Sequence, residues 1–194
     1  MARKREFDPE EALDKAMHVF WEKGYAGTSM RDLTAATGVA PAGLYAAFGD
    51  KDGLYQKSLE HYRDNYIGRL LAELFTDEAG LDEIRVVFTR IHDRQQTFRR
   101  GVGCLWTNGA MEFGDTQPDK SDLFRWNAVR MEDAFARALS RSVEAGKWPA
   151  DRSIDQTAAL LVSIFNGFLV LGRGSAEPHI MDRSLKAVFA LLES

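Results

Sequence analysis

Apolar residues recur every three or four positions through almost the whole of this 194-residue chain, and nowhere do they alternate with polar ones for long enough to make a half-buried strand. A period of that kind admits helices alone, so the fold class is all-α. Breaks in the period set the helix ends. Asp8 is a good N-cap followed by Pro9 at the first helical position, and the helix they open carries Leu13, Ala16, Met17 and Phe20 on one stripe until Gly24. Thr28 stands where it can cap a second helix with Met30, Leu33 and Thr37 inward, and Gly38 supplies the permissive backbone of a tight turn. Pro41 opens a third, very short helix, whose Leu44 and Phe48 lie one turn apart and dock it on the first two.

Asp50 then caps a long fourth helix, with Leu54, Leu59, Tyr62, Tyr66, Leu70 and Leu74 continuing one apolar face to about Phe75. A fifth follows Gly80 and carries Leu81, Ile84, Phe88, Ile91 and Phe98. Gly101 and Gly103 break the chain before a short helix over 104–113. Longer helices are expected over 121–145, ended by Gly146, and over 154–171, and a closing one over 180–192. The helix over 154–171 is apolar on nearly all faces, which in a soluble protein means contact on more than one side. Two domains are expected: 1–50, a three-helix unit, and 51–194, a larger helical one.

Composition excludes several classes. One cysteine, Cys104, rules out an internal disulfide framework, and no Cys/His spacing suits zinc, so neither metal nor cofactor is expected. Residues 1–7 are basic and polar where a secretory signal needs an apolar run, and the most apolar stretch, 158–171, is interrupted by Ser163, Asn166 and Gly167 and falls short of the ~18 residues of a membrane span. A cytoplasmic protein without a membrane partner is expected. The four histidines, His18, His61, His92 and His179, are scattered without a pairing motif, so no enzyme is indicated; His92 and Asp93 point in different directions on a helix and read as exposed polar residues. The net charge of −4 does not advertise nucleic-acid binding, but Arg3, Lys4 and Arg5 form a local basic arm able to reach phosphates.

Two short helices joined by a glycine turn can lay the second, here residues 41–47, in the DNA major groove, although the same spacing occurs in many proteins that never touch DNA. The run TSMRDLTAATGVAPAGLYAAFGDKDGLY, residues 28–55, closely resembles the DNA-binding signature of the TetR family of regulators. The resemblance implies a helix-turn-helix domain followed by a helical ligand-binding and dimerisation domain. It assigns the Thr28 hydroxyl and a nearby amide to a phosphate, matches Tyr45 to a tyrosine that reaches the backbone, and matches Lys51 to a lysine before the fourth helix. Packing alone would also explain Tyr45, and a solvated flanking charge Lys51. Base reading falls to Pro41, Ala42, Gly43 and Ala46, through thymine methyls or close backbone approach. Relatives often carry serine or lysine where this chain has Ala40 and Pro41, which gives Arg31 or the N-terminal arm more weight in sequence choice.

For the remaining helices the resemblance implies a homodimer on double-stranded DNA, an inverted-repeat operator with half-sites ~34–36 Å apart, and release by a small effector, with repression the commoner mode. The helices over 121–145 and 154–171 are expected to pack with their symmetry mates as a four-helix bundle, where Asn166 and Gly167 suit a close interface; passage through the core of one domain would explain them equally. Residues 101–113 place Cys104 and Asn108 one turn apart beside Trp106, and resemble a GCL-containing segment of one branch of the family in which a cysteine responds to electrophiles or oxidants. Arg99 and Arg100 are placed to assist, whereas a small buried apolar residue is the plainer account of Cys104. Phe88, Ile91, Phe98, Trp126 and Phe165, with Cys104 and Asn108, are candidates for an effector pocket, and plain core is the alternative. A helical protein-interaction module that has lost DNA binding is the competing function.

Overall fold

The computed structural model describes residues 7–97, 101–114, 118–174 and 177–193, and these contain nine helices and no strands. They are α1 (Pro9–Lys23), α2 (Met30–Thr37), α3 (Pro41–Phe48), α4 (Lys51–Tyr62), α5 (Leu81–Thr97), α6 (Leu105–Phe113), α7 (Pro118–Glu144), α8 (Ile154–Arg173) and α9 (Pro178–Glu193). The chain divides into two compact units, Met1–Gly68 and Arg69–Ser194. The first extends past the expected boundary at residue 50 because α4 packs on α1 and α3.

In the first unit the local signals act where they stand. Asp8 accepts a hydrogen bond from the Glu10 amide and caps α1, Gly24 and Gly38 take positive φ at the ends of α1 and α2, and Asp50 accepts from the Gly53 amide at the start of α4. Phe20, Trp21, Tyr55 and Tyr62 are buried at the α1–α4 contact, with Phe20 edge-on to Tyr55 at 5.1 Å and Trp21 edge-on to Tyr62 at 4.9 Å. Burying each such ring contributes about 1.5–3 kcal/mol and joins α1 to α4, while buried Leu33 and Leu44, more than helix propensity, hold helices as short as α2 and α3 in place.

The fourth helix does not run on to Phe75. After Tyr62 the backbone widens into a π-helical turn, Arg63–Ile67, in which the Gly68 amide donates to Arg63 O, and the chain continues as one α turn, Gly68–Leu70, and a 3₁₀ turn, Ala72–Phe75. Side chains account for the widening. Asn65 Nδ2 donates to His61 O at 3.1 Å, competing with the backbone for that carbonyl, and the Tyr66 hydroxyl donates to Asp14 Oδ1 at 3.2 Å. His61 Nε2 stands 3.1 Å from the same Asp14 oxygen, and His18 Nε2 stands 3.1 Å from the Tyr66 hydroxyl. Two of the histidines that look scattered along the chain therefore meet around one carboxylate.

In the second unit Phe88 of α5 meets Phe135 of α7 and Phe165 and Phe168 of α8, with ring centroids 6.0–6.4 Å apart. Long and apolar enough by composition to cross a membrane, α8 lays Ala158, Leu161, Phe165, Phe168 and Leu169 against its neighbours and leaves Leu160 and Val170 exposed. Among the described residues of this unit, contact comes on one side of the helix only, not several. Gly167 lies in the open, with nothing within 4 Å of a Cβ built there, whereas Asn166 turns inward, donating to Val162 O and accepting from the Thr107 hydroxyl of α6.

Candidate nucleic-acid interface

The start of α2 corrects one expectation. Thr28 is not the cap: it is 2% exposed and donates its hydroxyl to Gly24 O at 2.6 Å, tying the end of α1 to the next helix. Ser29 caps α2 in a reciprocal capping box with Asp32, each backbone amide donating to the other's side chain. Lys23 and Ser29, hydrogen-bonded to Asp32, hold its carboxyl well below the usual carboxylate range. Arg31 is exposed in the first turn of α2.

On α3 the residues sort into two sets. Leu44 is buried, and Gly43 also faces inward: a Cβ there would lie 2.9 Å from Val39 Cγ1 and 3.4 Å from the Phe7 ring. That packing requirement is the structural reason for a glycine, and it turns Gly43 away from the face on which base contact was expected. The outward set is Pro41, Ala42, Tyr45 and Ala46, all exposed, with Tyr45 at 46%. Such exposure removes the packing account of Tyr45. Lys51, the first residue of α4, sets its ammonium 4.2 Å from the centre of the Tyr25 ring, which itself lies against Phe20 and Tyr55. Tyr25, absent from the sequence expectations, thus fixes where the lysine charge sits. Arg3, Lys4 and Arg5 lie outside the described residues.

The pocket candidates separate in the second unit. Phe88, Ile91 and Phe165 are buried, the two phenylalanines in one aromatic cluster. Trp126 is not among them: it is 48% exposed on α7, with the Arg130 guanidinium 5.1 Å from its ring centre. Cys104 is 2% exposed and takes the N-cap position of α6 without a side-chain cap bond. Asn108 Nδ2 donates to Val102 O at 2.8 Å, and Arg173 donates to the same carbonyl at 3.0 Å, so both clamp the 101–104 turn. Phe98, Arg99 and Arg100 lie outside the described residues.

His92 is also corrected. It is half-buried, with Nδ1 3.1 Å from Asp93 and Nε2 2.7 Å from Asp182 of α9, because α9 packs on α5. Burial alone would lower its pKa, but the bonds to Asp182 and Asp93 outweigh burial and hold the imidazolium above its ordinary value. A group raised on folding stabilises in full below its unfolded pKa, about 6.5, and that contribution is lost as pH rises through the folded value. Between pH 6 and 8 the thermal midpoint of the native chain should therefore fall more than that of Asp182→Asn. Parallel midpoints would mean that the contact between α5 and α9 carries no pH-dependent stability.

Comparison with known proteins returns the same architecture. A family model described as "Bacterial regulatory proteins, tetR family" matches residues 12–57, and one described as "Tetracyclin repressor-like, C-terminal domain" matches residues 80–188. The chain is 29% identical over 175 residues to the HTH-type transcriptional repressor ComR of Escherichia coli (strain K12), covering 90% of this chain and 83% of that protein. It is 24% identical over 187 residues to the HTH-type transcriptional repressor DhaR of Mycobacterium sp. (strain GP1), covering 94% and 91%. Among solved structures it is similar to the TetR family regulator CifR, a cysteine mutant complexed with 26bp double-strand operator DNA, with a TM-score of 0.83, 26% identity, and 95% of this chain and 99% of that one covered.

Proposed function

The chain belongs to the TetR family of DNA-binding transcriptional repressors, and from that membership we propose that it grips an inverted-repeat operator as a homodimer and is released by a small effector held in the second unit. The observation that carries this reading is the division of α3 into a buried set and an exposed one. Leu44 anchors the helix, while Pro41, Ala42, Tyr45 and Ala46 are left facing solvent on a helix too short to need them for packing. In the helix-turn-helix geometry α2 crosses the phosphate backbone and α3 enters the major groove. Tyr45 through its hydroxyl, Lys51 through the charge held on Tyr25, and Arg31 and the arm residues Arg3, Lys4 and Arg5 through theirs, then position the protein on phosphates. At the start of α2 both hydroxyls are already donated, that of Thr28 to Gly24 O and that of Ser29 to Asp32 Oδ2 at 2.6 Å, so exposed Arg31 carries the phosphate contact there.

Exposed apolar side chains on the two longest helices support dimerisation: Trp126 and Val129 on α7, Leu160 and Val170 on α8. The effector's place is proposed beside Phe88, Ile91 and Phe165. Burial of Cys104 favours reversible binding there over thiol chemistry, since a reactive thiolate needs exposure. Its partner being the chromosome, the protein works in the cytoplasm.

Selection of the purified protein against random duplex DNA, followed by titration of the enriched sequence across a salt series, tests the reading. An inverted repeat bound with steep salt dependence is expected. A folded dimer that enriches no sequence turns the assignment to a helical interaction module. On the selected operator, Tyr45→Phe and Lys51→Ala should weaken all sequences about equally, and Lys51→Ala should reduce the salt slope by about one. A loss confined to one sequence would instead make either residue a base reader.

A further inference from the structure

We propose that this regulator reads its operator through the C5-methyl groups of thymine, with Ala42 and Ala46 of α3 as the specificity-determining residues and Pro41 beside them. The inference rests on the placement of α3 in the major groove and goes on to name what that helix touches. Two kinds of information are displayed there: the hydrogen-bond donors and acceptors of the base edges, and the thymine methyl, the one apolar group any base pair presents. Recognition of the first kind uses polar side chains: forked ones such as Arg, Asn or Gln in its strongest form, and Lys, Glu, Asp, Ser or Thr otherwise. The outward face of α3 has none. Pro41, Ala42 and Ala46 end in carbon, and Tyr45 carries a single hydroxyl that cannot pair with a base edge at two points.

The backbone adds little to this. Pro41 has no N–H, and the amides of Gly43 and Leu44 both turn back to Ala40 O, at 2.9 and 3.2 Å, which leaves of the first turn only the Ala42 amide, a single donor that meets a base edge at one point. Nor do the other described residues of the unit supply a reader at the centre of the face. Arg31 stands on α2, the helix that crosses the backbone, and Lys51 is drawn to the Tyr25 ring. What remains for base discrimination is apolar contact, and alanine against the thymine methyl is one of its ordinary forms. Tyr45 is the one long side chain on this face; with its hydroxyl on a phosphate, the short side chains of Pro41, Ala42 and Ala46 let the helix backbone approach the bases closely, which a one-carbon side chain needs if it is to touch a methyl at all. Ala42 and Ala46 are one turn apart, about 6 Å along the helix, which corresponds to about two base-pair steps. Each half-site is thus expected to hold two thymines at about that separation.

The test is made on the DNA, with the native protein. In the selected operator, each thymine in turn is replaced by deoxyuridine, which removes only the methyl, and affinity is measured by fluorescence anisotropy across a salt series. At the two read positions each replacement should lower affinity about three- to fourfold, the effect of leaving one CH₂-sized group unburied. The salt slope should stay unchanged, since no charge is lost. Ala46→Gly, which removes the protein's own methyl, should make one of the two replacements silent and leave the other as costly as before. Equal affinity for the operator and its fully deoxyuridine form would overturn methyl reading while leaving the regulator intact, because the operator is still bound. Failure to enrich any operator removes the regulator reading and this inference with it.

Discussion

Glutamate at both Leu160 and Val170 is expected to leave a folded monomer that binds the operator about 10²–10⁴-fold more weakly than the native chain. Both side chains are on the open face of α8, at 46% and 43% exposure, on the same side as Gly167, around which nothing stands. Neither belongs to the buried core of the described residues, so Leu160→Glu with Val170→Glu should leave the melting temperature of the unit nearly unchanged. At a two-fold interface each substitution counts twice, and four carboxylates brought together in an apolar contact find no partner. The loss of DNA affinity follows from valency: once one α3 is in its half-site, the second is delivered at a high effective concentration only while the subunits stay joined. Sedimentation velocity and anisotropy on the same samples decide it. A double variant that still sediments as a dimer would place the interface elsewhere, at the exposed Trp126 and Val129 of α7 or Ile180 of α9.

Gly103→Val should destabilise the second unit by about 2–4 kcal/mol, which lowers its melting temperature by several degrees or more. Gly103 has φ +64°, where a side chain costs about 1–2 kcal/mol. Space is short as well. A Cβ there would stand 2.9 Å from Arg173 Cβ, 3.1 Å from Leu169 O and 3.2 Å from Asn108 Oδ1, and the second of these is backbone that cannot step aside. Displacing the turn also disturbs the Val102 carbonyl, which accepts from both Asn108 and Arg173. Asn108→Ala, which leaves the backbone alone and removes one of those donors, should cost about 1–2 kcal/mol. A Gly103→Val chain that melts with the native one would mean that the 101–104 turn is not held by the contacts that surround it.

The first unit was legible in the sequence because its ends are set by chemistry that acts over three or four residues. Asp8, Gly24, Gly38, Pro41 and Asp50 each sit where their side chains or backbones predict. The one-residue error at Thr28 came from two adjacent hydroxyl residues that both suit a cap, and the sign that separates them, a carboxylate at Asp32 three residues beyond Ser29, was present and local. Longer-range facts were not readable. Tyr62, Tyr66 and Leu70 keep a four-residue spacing whether or not the backbone widens between them, and the widening depends on Tyr66 meeting Asp14, 52 residues away. His92 needed Asp182, 90 residues on, to show which way it points. For α8 the sequence could say that almost every face is apolar but not which of them its own unit covers, and the same limit left Trp126 among residues it does not join.

The separation of α3 into an inward and an outward set bears on how such a protein changes over generations. Leu44 and Gly43 carry the docking of the helix, and Pro41, Ala42, Tyr45 and Ala46 carry none of it. On the reading proposed above, preference for one DNA sequence and foldedness are written on different letters of the same short word. Drift at Ala42 or Ala46 meets no penalty from the core beyond helix propensity, less than about 0.7 kcal/mol for most replacements. A duplicated copy of the gene is thus free to try new operators one substitution at a time without first acquiring stability to spare.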